Sequence, residues 1–189
     1  MKKAIKGTFG YLSNKRTQVM IRTILFFCIS LALLIAGIIT TGTKKNLLTI
    51  VAVLGCLPAC KSLVNLVMYL KAKGCSKEVQ EVISRDEGKL IGMYDMYFTS
   101  YKLNFPISHM VVEGKNICGY TEEEKFDTGA CEKHLDIMLK QGGFKDMTIK
   151  IFKDLPRYSE RLKQLNALEH EKTPERDDEV RVVLYDISL

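Results

Sequence analysis

Hydrophobic positions along this chain change their period several times, and each change predicts a different kind of element. From Ile24 to Thr41 the chain reads ILFFCISLALLIAGIITT, 18 residues without a charge. At helical rise that is about 27 Å, close to the hydrocarbon thickness of a bilayer. A second apolar run of 24 residues, Leu47 to Leu70, is interrupted by Pro58, Lys61 and Asn65, and it is long enough to span with some tilt. Only Gly42-Thr43-Lys44-Lys45-Asn46 lies between them, so the two helices are expected to turn back on each other as an antiparallel pair. The division that follows is a basic leader at 1–23, a first transmembrane helix at 24–41, a short external loop at 42–46 and a second transmembrane helix at 47–70.

Past Gly74 the runs shorten. Ser76 is placed to cap a short helix reaching Ser84, with Val79, Val82 and Ile83 on one side and Gly88 beyond its end. Lys89 to Ser100 and Lys102 to Ile107 are rich in Tyr, Phe, Met and Leu and read as strands, the second limited by Pro106 to an edge or an ending. His109 to Val112 and Ile117 to Thr121 flank Glu113-Gly114-Lys115-Asn116, a hairpin signal. Asp127 or Thr128 caps a helix to Gln141, with Cys131, Leu135, Met138 and Leu139 at helical spacing and Gly142-Gly143 stopping it. Met147 to Phe152 alternates as a strand. Asp154 then caps a helix from Leu155 to about Leu168, whose stripe is Leu155, Tyr158, Leu162 and Leu165.

Thr173-Pro174 starts the last element. Val180, Val183, Leu184 and Ile187 fit a helical period there, although Val182, Val183 and Tyr185 also suit a strand, and a final helix is the expectation. The fold class expected is α+β: an N-terminal two-helix transmembrane hairpin followed by a cytoplasmic domain at 75–189, with a small antiparallel β-meander and packed helices in the order α-β-β-β-β-α-β-α-α.

Charge sharpens this division. Of 189 residues, Met1 to Lys77 holds 12 Lys and Arg and no acid, while the rest holds 16 bases and all 22 acids, a net of −6. The overall +6 is therefore not the footprint of a nucleic-acid binder, and no nucleic-acid partner is expected. Lys2, Lys3, Lys6, Lys15, Arg16 and Arg22 precede the first span, and Lys71, Lys73 and Lys77 follow the second. By the positive-inside rule both termini are cytoplasmic, in a cell (plasma or inner) membrane. A cleaved signal peptide fits less well, because the apolar run is long and Ile-Thr-Thr-Gly-Thr is a poor cleavage site. The basic leader, with Phe9 and Tyr11 among its lysines, is expected against anionic lipid headgroups.

Arg22, Lys61 and Asn65 are the polar residues assigned to the membrane segments. Lys61 lies inside a span, with no acid before Glu78 to pair with it, so snorkelling or pairing within the hairpin is expected instead of an ion pathway. Small residues Ala52, Gly55 and Ala59 facing Ala32, Ala36 and Gly37 allow close helix packing.

Candidate chemistry is sparse. Of the six cysteines Cys28, Cys56 and Cys60 fall in the spans and Cys75 beside them, no C-x-x-C pair occurs, and Cys118 and Cys131 of the cytoplasmic domain are expected as thiols. Cys131 and His134 lie three apart on one helix, but a zinc site needs two further ligands, and no metal or cofactor is expected. Asp95 with Glu113-Gly114-Lys115 has the residue types of a PD-(D/E)xK nuclease, whose carboxylates hold a divalent metal while a lysine meets developing charge. Against it, Gly114 and Asn116 make that segment a hairpin tip, which exposes its side chains. P-loop, G-x-G-x-x-G, G-x-S-x-G and H-E-x-x-H patterns are absent.

Two close spans followed by Ile117-Cys118-Gly119-Tyr120-Thr121, Glu132-Lys133-His134-Leu135, Ile149 to Leu155 and Tyr158-Ser159-Glu160-Arg161-Leu162 resemble uncharacterised small membrane proteins of Gram-positive bacteria. Some of those bear names suggesting a relation to O-linked GlcNAc transferase. The resemblance implies the architecture alone, and no residue of that enzyme is carried onto this chain. The expectation is a membrane protein with a non-catalytic binding domain, whose partners are anionic lipid and a protein partner or a second copy of itself. The alternative is a membrane-anchored hydrolase using Asp95, Glu113 and Lys115.

Overall fold

The structure, a computed structural model, describes residues 5–43, 46–101, 103–167 and 174–189. Lys2, Lys3, Lys44, Lys45, Lys102, Leu168, His170 and the cap position Thr173 lie outside the described residues. The chain is α+β and divides into two units, residues 12–72 and a domain built from residues 1–11 together with 73–189.

The first unit is a helical hairpin. Helix α1 runs Tyr11–Thr41 and α2 runs Leu47–Lys71, and each is long and apolar enough to cross a membrane. Helix α1 thus starts 13 residues before the apolar run, taking up the second half of the expected leader. The apolar side chains of both helices are mostly outward, with only 17% of the most apolar stretch of each helix buried.

Polar contacts set the register of the pair. Thr23 donates to the Val19 carbonyl at 2.8 Å, which leaves Ser62 Oγ to donate to Thr23 Oγ1 at 2.7 Å, a buried contact. Seven residues on, Ser30 packs against Gly55, where a Cβ would stand 2.9 Å from its Oγ. At the turn, Asn46 caps α2 by accepting from Thr49 N at 2.8 Å and donates to Gly37 O, Thr41 Oγ1 and Thr43 O at 2.8 to 2.9 Å. At the other end Arg16 donates to the Tyr69 and Ala72 carbonyls at 3.1 and 2.8 Å, covering the unsatisfied last turn of α2. One consistent register, from Arg16 against Tyr69 to Gly37 against Asn46, makes the pair antiparallel along its length.

In the second unit α3 is Lys77–Asp86, α4 Thr128–Gln141, α5 Leu155–Ala167 and α6 Pro174–Ile187. Strands β1 (Gly92–Thr99), β2 (Asn104–Glu113), β3 (Asn116–Tyr120) and β4 (Thr148–Phe152) form a sheet in the order β1-β2-β3-β4. The first three are the antiparallel meander; β4 joins parallel to β3 after the α4 crossover, which makes the sheet mixed. One face is covered by α4 and α6 over Met96, Phe98, Phe105, Met110, Leu135 and Leu184, the other by α3 and α5 over Val111, Tyr120, Tyr158 and Leu162. Ser76 and Asp127 cap α3 and α4 as expected, and the charged C-terminal stretch is the helix α6.

Two expectations fail here for one reason. Segments 102–107 and 109–112 are a single strand, β2, which runs through Pro106. The Ser100 N–H donates to the Leu103 carbonyl at 2.8 Å, so alternation makes Pro106 and Tyr97 a non-hydrogen-bonded pair. The imide nitrogen therefore faces the side that β3 does not reach, since β3 ends at Tyr120 opposite His109, and no donor is missed.

The apolar phase also changes within both strands. Met93 and Met110 face the same core as Met96, Phe98, Ile107 and Phe105, which an unbroken alternation forbids. Asp95, with φ of 56°, and Ser108 supply the extra position on each strand, so both side-chain sets change face together while the register is kept. A short polar side chain tolerates that left-handed backbone better than a bulky one does.

The leader is not free of the domain. Gly7 forms a β-bridge with Tyr94, whose N–H donates to the Gly7 carbonyl at 2.8 Å, and the Lys6 ammonium donates to the carbonyls of Tyr185 and Ser188 at 2.7 and 2.9 Å. Leu189 N–H donates to Tyr97 O at 2.8 Å. The outer edge of β1 is thus covered by residues from both flanks of the fold, with Lys6 placed at the negative end of α6. Gly7 has φ of 79°, and the Tyr185 ring fills the place of a Cβ, so only glycine fits. Substituting Lys6→Met removes two charge-assisted bonds and is expected to cost roughly 1–2 kcal/mol in this domain, read as faster amide exchange at Tyr94 and Leu189 and a lower denaturation midpoint.

Candidate functional site

Catalytic candidates from the sequence are not brought together. Asp95 is 4% exposed and its Oδ1 accepts from the Cys75 N–H at 2.8 Å, with Gly74 packed against the carboxylate. Its level on the sheet is that of Ser108, five residues from Glu113 along β2, or about 17 Å. Carboxylates sharing one metal lie within a few ångströms of each other. Glu113 ends β2 opposite Asn116, and Lys115 is exposed at the turn. The turn is held by Asp177 of α6, whose carboxylate accepts from the Gly114 N–H at 3.1 Å. Among the described residues no three His, Cys, Asp or Glu side chains converge as metal ligands.

Cys131 is enclosed in the core beside Leu135, and His134 lies against the Phe105 ring at 5.6 Å. Burial pushes the Cys131 thiol up to about 12, and burial with Glu122 and Asp95 does the same to Cys75. Such thiols are poor nucleophiles.

What the fold does assemble is a polar chain of four residues, two of them buried and two half-buried, that sequence reasoning did not find. Glu87 caps α3, and the turn at Gly88 returns the chain to β1 two residues before Tyr94. Tyr94 and His109 are partners across β1 and β2, with ring centroids 4.4 Å apart. Tyr94 OH donates to Glu87 Oε2 at 3.0 Å, and Glu87 Oε1 stands 3.6 Å from His109 Nε2. On the other side of the imidazole, Nδ1 is 2.7 Å from the hydroxyl of Tyr158 on α5. Gly92 is required in the middle, since a Cβ there would overlap both Glu87 Oε1 and His109 Nε2.

At 3.6 Å the Glu87 contact is an ion pair or charge–dipole contact, and His109 Nε2 has no hydrogen-bond partner among the described residues. Burial lowers the affinity of His109 for a proton, against the pull of the Glu87 carboxylate. Burial alone would raise Glu87, but His109, Tyr94 and the Gly92 backbone outweigh it and hold the carboxyl below its ordinary range. The arrangement that meets these constraints is a neutral ring with its proton on Nε2 toward Glu87, while Nδ1 accepts from Tyr158.

His109 and Tyr158 are both 0% exposed. Tyr158 is stacked on Tyr120 at 5.6 Å and packed on Phe152. The enclosed pair His109 and Tyr158 ties α5 to the sheet, and Glu87 ties the end of α3 to the same strands. Asn166 completes that joint by donating to the Asp86 and Glu87 carbonyls and accepting from Lys89 N–H, all near 3.0 Å. The one sequence signal was a histidine inside an apolar strand, with a tyrosine on the inner stripe of a later helix.

Open concave surface lies beside this network. A shallow recess of about 500 Å³ is lined by Val79, Tyr120, Lys153 and the Glu122 to Glu124 run. Glu122 accepts from the Ser76 N–H at 3.0 Å, and Glu123 pairs with Lys73 at 3.2 Å.

No family model, no curated protein and no solved structure matches this chain.

The folded His109 resists protonation while the unfolded residue titrates near pH 6.5; the unfolded state then binds more protons in acid. Stability is therefore expected in full above about pH 6.5 and to decline as pH falls below it. His134, also lowered by burial, contributes with the same sign, so His109→Gln should reduce the slope without abolishing it. Tyr158→Phe strands Nδ1 and should cost about 1–3 kcal/mol, read from denaturation midpoints across that pH range.

Proposed function

We propose that this is an integral membrane protein whose hairpin crosses the bilayer twice and whose α+β domain is a non-catalytic binding module held at the cytoplasmic face. The observation that carries the reading is that both flanks of the hairpin belong to one domain. The chain leaves it after Tyr11 and returns at Lys73, and Gly7 and Lys6 are bonded to Tyr94, Tyr185 and Ser188. A domain assembled from both flanks requires both to be on one side of the membrane, hence an even number of crossings. Two apolar helices with outward-facing side chains and a tight Asn46 turn meet that requirement. A cleaved signal sequence would take residues 5–10 away from the edge of β1.

Lysine and arginine decide the side, since the flanks carry most of the bases of the acid-free front half and basic flanks stay cytoplasmic. The binding role is supported by the accessible acidic recess and by the burial of His109 and Tyr158. Lys6 serves α6, so the lipid-facing role of the leader passes to the bases of α1.

Fusions test this directly. Reporters attached before residue 1 and after Leu189 should both register the cytoplasm, and the protein should remain in the pellet after alkaline carbonate extraction. A reporter at either end that works only outside the cell would overturn the topology, and release by carbonate would overturn the membrane assignment.

A further inference from the structure

Lys61 sits within the second apolar run with no acid in residues 12–72 to balance it. The hairpin register gives it a level and a side. Arg22 and Lys61 each come one residue before a member of the buried Thr23 and Ser62 contact, so in an antiparallel pair their heights differ by only about 3 Å. Above that level α1 runs from Ile24 to Thr41 without a charge, about 27 Å and so one hydrocarbon thickness. Lys61 is therefore level with the end of the hydrocarbon.

Symmetry gives the side. The local two-fold axis of an antiparallel helix pair is perpendicular to the plane of the two axes, so residues equally offset from a matched contact project to the same side of that plane. Arg22 and Lys61 are such residues, each turned about 100° back from the interface. Asn65, four residues after Lys61, lies on the same stripe one turn nearer the domain end of α2. Arg22 and Lys61 are exposed and Asn65 is half-buried. With axes about 8–10 Å apart, a guanidinium fork, an ammonium and an amide border one furrow at headgroup depth.

We infer that Arg22, Lys61 and Asn65 form a binding site for the phosphodiester of one anionic phospholipid in the cytoplasmic leaflet. The inference rests on the membrane reading above. Charge complementarity supports it, since two uncompensated cations stand together where lipid phosphates lie. The neighbouring surface supports lipid over free phosphate: Leu25, Ile29, Leu54 and Leu57 are exposed and, by their spacing from Thr23 and Ser62, lie on the same side of the pair toward the hydrocarbon, offering apolar surface to acyl chains. Lys61 is then a headgroup ligand and needs no acidic partner.

The test uses the full-length protein released from detergent micelles into native mass spectrometry with added phosphatidylglycerol or phosphatidylcholine. One phosphatidylglycerol should be retained in preference to phosphatidylcholine. Arg22→Gln and Lys61→Gln should each weaken retention about tenfold, and Asn65→Ala less. Lys71→Gln removes the same charge about two and a half turns from Ser62, on the face of α2 turned away from α1, and should leave retention unchanged. Equal weakening by Lys71→Gln, or no change in the Arg22 and Lys61 variants, overturns the site. Displacement of the lipid by millimolar inorganic phosphate overturns its assignment to a lipid. Carbonate extraction of the same variants separates the two levels: a protein that stays in the membrane but binds without selectivity refutes only the site, and one that is released refutes the membrane reading with it.

Discussion

The hydrogen bond from the Tyr94 N–H to the Gly7 carbonyl closes the chain around the whole helical hairpin, and the architecture depends on it. It makes the segment before α1 a part of the domain that follows α2. Lys6 and Gly7 then serve two purposes at once, covering the β1 edge and satisfying the last carbonyls of α6. An uncovered β1 would offer a row of unpaired backbone groups to any other strand. The hairpin is an insertion into a domain in the covalent sense.

Within the domain, the paired irregularity at Asp95 and Ser108 does comparable work. By switching the phase of both strands at one level it lets Met93 and Met96 join one core while Tyr94 faces the other with His109. Asp95 is left directed at the backbone of Cys75. The carboxylate that has the residue type of a metal ligand is spent on holding the start of α3, and the polar chain from Glu87 to Tyr158 is spent on docking α5. Buried polar groups of this kind specify one packing when satisfied, at the cost of desolvating them. That cost is visible in His109, which keeps its ring neutral to remain there.

Charge sorting along the chain has the same economy. Among the bases of the hairpin, Arg16 ties a helix end at Tyr69 and Ala72. The acids are confined to the domain, where they cap helices, hold turns and leave Glu122 to Glu124 around the open recess.

How much of this was legible in the residues differs by feature, for physical reasons. The hairpin was legible because a spanning run is defined by composition and length alone, and so were the caps at Ser76 and Asp127 and the stop at Gly142, which act over a few residues. The β2–β3 hairpin was legible for the same reason, its turn carrying Gly114 just before Asn116. Pro106 misled, because whether a strand needs that N–H depends on how far the neighbouring strand extends. The Asp95 irregularity, the parallel β4, the docking of Lys6 and Gly7, and the grouping of Glu87, Tyr94, His109 and Tyr158 are contacts between residues distant in sequence. Local periodicity carries no record of which distant residues meet. The sequence by itself determined two apolar helices, the charge division and the helix ends, because those rest on composition and short-range bonds; the tertiary structure decided which polar side chains share a site, because only packing sets the distance between them.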